Sequence, residues 1–255
     1  MTANPLVLSP TACRTLRWQP PQDLSFAAHR HLVPLHVGEL APAAASMPLA
    51  LIQENQQWRL VGVCGNTPGH NLFIKDGVWL GHHRPDWLGT YPFEIMNLGE
   101  KNIVTFDRDS GLLADDVSGE PFFDEHDQMS EAVKRHVEAL QARHGKYQST
   151  RRTLKALARA RIMSPWPEAL KRQAGITGDD LYMIDERALA ALDDEAYLEL
   201  RRAGALPVAY ALNLSLSQTH LLARLGQVNP YMPPAERGAG GFFDGEEELV
   251  FDFDS

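Results

Sequence analysis

Cysteine is nearly missing: the 255 residues hold two, Cys13 and Cys64. Neither lies in a CxxC pair or at a spacing that zinc ligands use, which excludes a disulfide framework and a zinc motif and fits a reducing compartment. Long apolar runs are missing too. The longest, "ALPVAYALNLSL" at 205–216, falls well short of the roughly 20 residues of a spanning helix, so no membrane insertion is expected. The start, "MTANPLVLSPTACRTLRW", has no charged head followed by an apolar stretch and does not read as a secretory signal. A soluble, cytoplasmic protein is the expectation, with signal-independent export left open. Basic charge is short: 24 Lys and Arg against 33 Asp and Glu give a net charge of -9, which argues against nucleic acid as a partner. There is no GxSxG elbow, no GxxxxGK[ST] phosphate loop, no GxGxxG fingerprint and no internal repeat.

What is there has a clear order. Prolines at 5, 10, 20 and 21 predict an irregular lead-in over 1–25. A single domain is expected over 26–228, opening with strands. "PLALIQ" (48–53) and "WRLVGVC" (58–64) form one expected hairpin, and "NLFIKDGVWLG" forms another around Asp76-Gly77, which suits a two-residue turn. "NIVTFD" (102–107) adds a strand. From Ser130 to Met163, apolar residues at helical spacing predict two amphipathic helices broken around Gly145. A strand "LYMID" (181–185), helices "ERALAALD" and "EAYLELRRAG", a strand "LPVAYALNLSL" and a last helix "SQTHLLARL" complete the domain. Strands first and helices later predict the α+β class: a mixed or antiparallel sheet from the N-terminal half and residues 206–216, packed with helices from 130–225. Residues 229–255 read as a Pro/Gly linker and an acidic, Phe-containing tail.

Charge is distributed unevenly. Residues 131–172 carry eleven Lys or Arg against three Glu, whereas residues 236–255 carry seven acids against one Arg. Opposite poles attract each other or separate partners. Arg151, Arg152 and Lys155 on one side, and Phe251 and Phe253 on the other, are the candidate partner-binding residues. The bland reading, a solvated helix face and an unstructured tail, stays open beside it.

The stretch "HRHLVPLHVGE" (29–39) gathers three histidines and Glu39. On a strand His29 and His31 point to one side, but His36 lies beyond Pro34 and no His-x-carboxylate pattern follows, so no metal and no cofactor is assigned. His82, His83 and Asp86, and "DEHD" at 124–127, add donors without a ligand spacing. Cys64, with His70 nearby in sequence, reads either as a loop nucleophile or as a small buried hydrophobe.

The ordered set "LVPLHVGELAPAAASMPLAL", "NLFIKDGVWL", "RPDWLGTYPFEI", "TFDRDSGLL", "MIDERALAAL" and "GALPVAYALNLSLSQTHLL" resembles the SapC family of bacterial proteins, from about Phe26 to Leu225. Two positions depart from the family pattern: Gly89 stands where an arginine usually precedes the Tyr91-Pro92-Phe93 triplet, and "DEHDQ" lacks an expected glycine. The resemblance implies association with surface-layer or envelope-protein systems and no known catalytic residue. It leads to an expected non-catalytic accessory protein with a protein partner, its oligomeric state unread. The alternative is an enzyme or ligand-binding protein whose pocket gathers Glu39, Asn71, Trp79 and Tyr91, with His70 or His83. Those residues serve equally as turn and core residues.

Overall fold

A computed structural model describes residues 4–54, 56–98, 101–114 and 119–231. In chain order it contains β1 (Pro5–Val7), α1 (Pro10–Cys13), β2 (Arg17–Trp18), β3 (Leu32–Pro34) and α2 (Leu40–Ala44). Three hairpins follow: β4 (Leu49–Glu54) with β5 (Gln57–Val63), β6 (Ile74–Lys75) with β7 (Val78–Trp79), and β8 (Phe93–Leu98) with β9 (Lys101–Asp107). Next come β10 (Leu113–Ala114), β11 (Glu120–Pro121), α3 (Glu131–Ala160), β12 (Met163–Pro165), α4 (Glu168–Ala174) and β13 (Tyr182–Ile184). Helices α5 (Glu186–Ala190), α6 (Asp194–Arg202), α7 (Ala205–Ser215) and α8 (Thr219–Val228) end the described chain. The class is α+β. Among the described residues every strand pairing is antiparallel, in a five-stranded sheet ordered β12-β13-β4-β5-β3, two three-stranded sheets, β1-β9-β8 and β10-β2-β11, and the β6-β7 hairpin.

The Asp76-Gly77 turn forms as its composition dictates, with φ of 50° and 75° at the two central residues. Three expectations need correction. The lead-in is not irregular. Leu6 and Trp18 are buried, and Trp18 packs edge-on against Phe93 at 4.9 Å. The prolines sit where proline is tolerated: Pro5 in an edge strand, and Pro10 in the first turn of α1 behind the Ser9 cap.

The stretch 206–216, expected as a strand, is helical: α7 covers Ala205–Ser215 and a 3-10 turn starts at Leu216. The buried residues of α7, Ala205, Val208, Ala209, Leu212 and Ser215, recur every three or four positions and not every two. Tyr210 and Leu214, 50% and 74% exposed, make the sequence look apolar throughout and hide that period. Gly204, at a φ of 65°, separates α6 from α7. The strand beside β4 is therefore β13, and Ser215 touches the sheet through its Oγ, which accepts from Leu49 N at 2.9 Å.

The third correction joins two expected helices into one. α3 runs 30 residues, about 45 Å at 1.5 Å per residue, straight through Gly145. Its two halves serve two apolar cores. Ala132, Val133, Val137 and Leu140 pack with Trp18, Phe93, Phe106 and Phe122, while Leu154 and Leu157 pack beneath the five-stranded sheet. Tertiary packing at both ends overrides the weak centre. A Cβ at Gly145 meets nothing within 4 Å, so Gly145→Ala is expected to stabilise the protein by about 0.5–1 kcal/mol. Urea unfolding checks this, and a loss of stability would show that the helix breaks there.

Candidate functional site

The chain leaves β3 at Pro34 and turns at His36, whose extended backbone (φ -122°) caps a 3-10 turn over Val37–Glu39. The cap is reciprocal: Gly38 N donates to His36 Nδ1 at 3.0 Å, and His36 N donates to Glu39 Oε1 at 3.1 Å. Val37 N is tied to α3 through Thr150 Oγ1 at 3.0 Å. The Glu39 carboxylate is only 4% exposed, and its Oε2 accepts from His83 Nε2 and from Asp86 N, each at 2.9 Å. Trp79 Nε1 holds the backbone of His83 by donating to its carbonyl at 2.9 Å. Glu39, Trp79 and His83 therefore meet.

Asp86, noted in the sequence only as a donor near His82 and His83, and Tyr147, which the sequence did not single out, complete this cluster. Asp86 Oδ2 lies 3.0 Å from His36 Nε2, with Arg143 Nε at 3.5 Å and Lys146 Nζ at 3.8 Å reaching it from α3. Tyr147, one residue on, packs edge-on against the His36 ring at 5.3 Å. What the sequence could not show is their pairing: fifty residues separate His36 from Asp86.

One ligand atom each of His36, Glu39 and Asp86 lies within 4.8 Å of the others, close enough for a metal site. The hydrogen bonds argue against that use. Gly38 N–H occupies the lone pair of His36 Nδ1, so Nε2 carries the ring proton and donates to Asp86. A metal on Nε2 would need that proton moved to Nδ1, directly against the Gly38 N–H. Glu39 already accepts three hydrogen bonds, two of them from backbone N–H groups.

Burial would raise the Asp86 carboxyl, but the hydrogen bond from His36 and the charges of Arg143 and Lys146 outweigh it and hold it below the usual carboxylate range. A depressed folded value means that the stabilisation is full above the unfolded value, about 3.9, and is lost as pH falls through the folded one. Wild type should therefore lose more stability than Asp86→Asn between about pH 6 and about pH 3, as read by urea midpoints. Equal losses would show that Asp86 contributes nothing to the acid transition.

The remaining candidates make their hydrogen bonds elsewhere. Asn71 is buried, donates to Arg30 O and accepts from Phe73 N. His70 Nε2 bonds Asn229 O at 2.9 Å, and Asn229 Nδ2 reaches the carbonyls of Asn71, Leu72 and Ile74, which pins residue 229 to the β6 region. Tyr91 donates to Asp107 Oδ2 at 2.7 Å, where Arg30 Nη2 also donates at 2.8 Å beneath the Trp87 and Tyr91 rings. Burial, then the Asp107 bond, push the Tyr91 hydroxyl up and keep it a donor. Cys64 is a core residue: it is fully buried, burial pushes its thiol far up, and its Sγ meets Met47 Sδ at 3.9 Å. His31 takes Gly69 N–H on Nδ1 and faces Asp179 through Nε2.

The two departures from the family pattern find their places. Asp127 has a φ of 58°, the left-handed backbone that a glycine adopts freely and aspartate tolerates. A side chain at Gly89 would point at the Arg143 guanidinium, 3.8 Å away, so a neighbouring element already puts positive charge there.

A cavity of about 240 Å³ opens between β5, β8 and α3. Arg151 lines it, whereas Arg152 and Lys155 lie on the exposed face of α3, so the basic trio divides between two surfaces. A recess of about 200 Å³ near Arg17 and Glu125 is bordered by the Arg14–Asp127 ion pair at 3.0 Å. Phe251 and Phe253 lie outside the described residues. Among the described residues no helix is long and apolar enough to cross a membrane.

No curated protein and no solved structure matches the chain. The SapC family model matches it over residues 8–222, a span that takes in β2 through α7, the Glu39 cluster and the cavity. The chain belongs to the SapC family.

Proposed function

We propose that this SapC protein is a non-catalytic binding component of a surface-layer or envelope-protein system that engages a protein partner. The observation that carries the reading is the Glu39 cluster. The groups best suited to acid-base or metal chemistry, His36, Glu39 and Asp86, are committed to each other and to backbone N–H groups, and so shape a turn. That is what a scaffold needs and what a general base must avoid, since a base keeps a lone pair for substrate. The exposed face of α3, with Arg152, Lys155 and Arg159 at helical spacing, is the partner surface.

Chemical cross-linking and recovery of the full chain from its native cell tests this. Wild type should capture an envelope or secretion component that a variant carrying Arg152→Glu, Lys155→Glu and Arg159→Glu loses. Recovery of no such component by wild type, or equal recovery by both, would contradict it.

A further inference from the structure

Helix α7 has no charged side chain from Ala205 to Ser215. A helix at a protein surface ordinarily turns a polar face to solvent and an apolar stripe to the core. α7 turns apolar residues both ways. Val208, Ala209 and Leu212 are buried, while Pro207, Tyr210 and Leu214 stand at helical spacing on the outer side and are exposed, Leu214 to 74%. Helix α6 widens this face. The chain reverses at Gly204, and Tyr197 of α6 comes alongside Tyr210 of α7 with the two hydroxyls 3.4 Å apart. Tyr197 and Leu198 are exposed as well, so four of the large hydrophobic residues that solvent reaches in the described chain lie on this one helical hairpin. Single exposed apolar residues need no explanation, but a contiguous group of them marks a contact surface.

The charges around the face select what covers it. Asp194, Tyr197, Leu198 and Arg201 stand at i, i+3, i+4 and i+7 of α6, all exposed: an acid at the start of the stripe, a base at its end and the apolar pair between them. α7 brings no charge of its own. A partner charged with one sign would be drawn to one end of the stripe and repelled at the other. A second copy turned about a two-fold axis through the middle of the face reads the stripe backwards, so that Asp194 meets the partner's Arg201 and Arg201 meets the partner's Asp194, while tyrosines and leucines meet each other. Seven positions at 1.5 Å each put the two charges about 10 Å apart in either direction, so one rotation closes both pairs. α7 is about 16 Å long and two neighbouring helices are about 20 Å wide, which places the face at the small end of specific interfaces and predicts a reversible dimer.

We propose that the α6–α7 face is the interface of a homodimer, in which Tyr197, Leu198, Tyr210 and Leu214 of two copies cover one another across a two-fold axis and Asp194 of each copy faces the partner's Arg201. The inference goes beyond the partner reading and stands without it, because Arg152, Lys155 and Arg159 belong to α3.

Sedimentation equilibrium of the full chain between about 1 and about 300 μM tests it. Wild type should pass from monomer to dimer with a Kd of roughly 1–100 μM. Leu214→Glu should stay monomeric over the whole range, because it sets two carboxylates in the apolar centre, and should keep the wild-type urea midpoint at about 1 μM, where that side chain lies in solvent. Arg201→Glu and Asp194→Lys should each weaken the dimer by at least about tenfold, since each puts like charges opposite one another at both ends of the stripe. Joined in one chain, the two reversals restore complementarity, and the Kd should return to within about threefold of wild type. An equimolar mixture of the two single variants should form mixed dimers that neither variant forms alone. A residue that merely holds α6 in place gives no such rescue. A wild type that is monomeric throughout, as a face covered by residues 232–255 or by a different protein would be, would overturn the proposal. So would a Leu214→Glu chain that dimerises like wild type, or the absence of rescue when the reversals are combined.

Discussion

Glu39→Ala is expected to destabilise the protein by about 3–5 kcal/mol, enough to leave a domain of ordinary stability, about 5–15 kcal/mol, marginal at room temperature. The substitution removes one carboxylate and orphans three donors at once: His36 N, Asp86 N and His83 Nε2. The two backbone groups belong to segments held in place by this carboxylate, the turn Val37–Glu39 and the turn Asp86–Gly89, so the loss reaches the packing of both. Glu39→Gln should cost less, because an amide keeps one acceptor oxygen while turning two N–H donors toward groups that also donate. His83→Ala should cost least, since its side chain is partly exposed and its loss leaves Glu39 with two backbone donors. Urea unfolding followed by circular dichroism gives the order Ala, Gln, His83→Ala from most to least damaging. A Glu39→Ala protein as stable as wild type would mean that the cluster does not hold these turns together.

Asp107→Ala is expected to cost a similar amount, about 3–5 kcal/mol, at a site separate in sequence from the first. Asp107 is 1% exposed, and its two oxygens accept from Arg30 Nη2, Tyr91 Oη and Asp109 N. Without it, the Arg30 guanidinium is left partly buried beneath two aromatic rings with its charge uncompensated. Tyr91→Phe removes one neutral donor and leaves the ion pair, so about 1–2 kcal/mol is expected from it. The double substitution should fall short of the sum, because Tyr91 has nothing to donate to once Asp107 is gone. Strict additivity in that cycle would show that the Tyr91–Asp107 bond contributes nothing. The network links β9, which carries Asp107, to Arg30 before β3 and to Tyr91 just before β8, so it ties both apolar cores together.

Local chemistry explains which features were legible in the sequence. The Asp76-Gly77 turn, the β4–β5 pair and the Ser130 cap of α3 follow from backbone preferences of a few neighbouring residues. The break expected at Gly145 failed because a glycine's local cost is about 1 kcal/mol, less than the gain from packing both halves of a helix on two cores. The strand expected at 206–216 failed because exposed Tyr210 and Leu214 fill the polar side of the period. Of the candidates named from the sequence, Glu39, Trp79 and His83 meet in the structure. The sequence could not pair His36 with Asp86, or Tyr91 with Asp107, since those contacts join segments brought together by the fold. Tyr147 left no signal at all. Its packing against the His36 ring is a property of the fold and not of its neighbours in the chain.

The central claim, that the most chemistry-like groups of this SapC protein serve as scaffold and not as a metal or proton-transfer centre, is tested most directly by calorimetric titration of the chelator-treated full chain with Zn²⁺, Mn²⁺ and Fe²⁺. The account predicts no one-equivalent site tighter than about 1 μM and an unchanged Tm, because His36 Nε2 holds its proton toward Asp86. One equivalent of tightly bound metal that raises the Tm, and that disappears in Asp86→Asn, would contradict it.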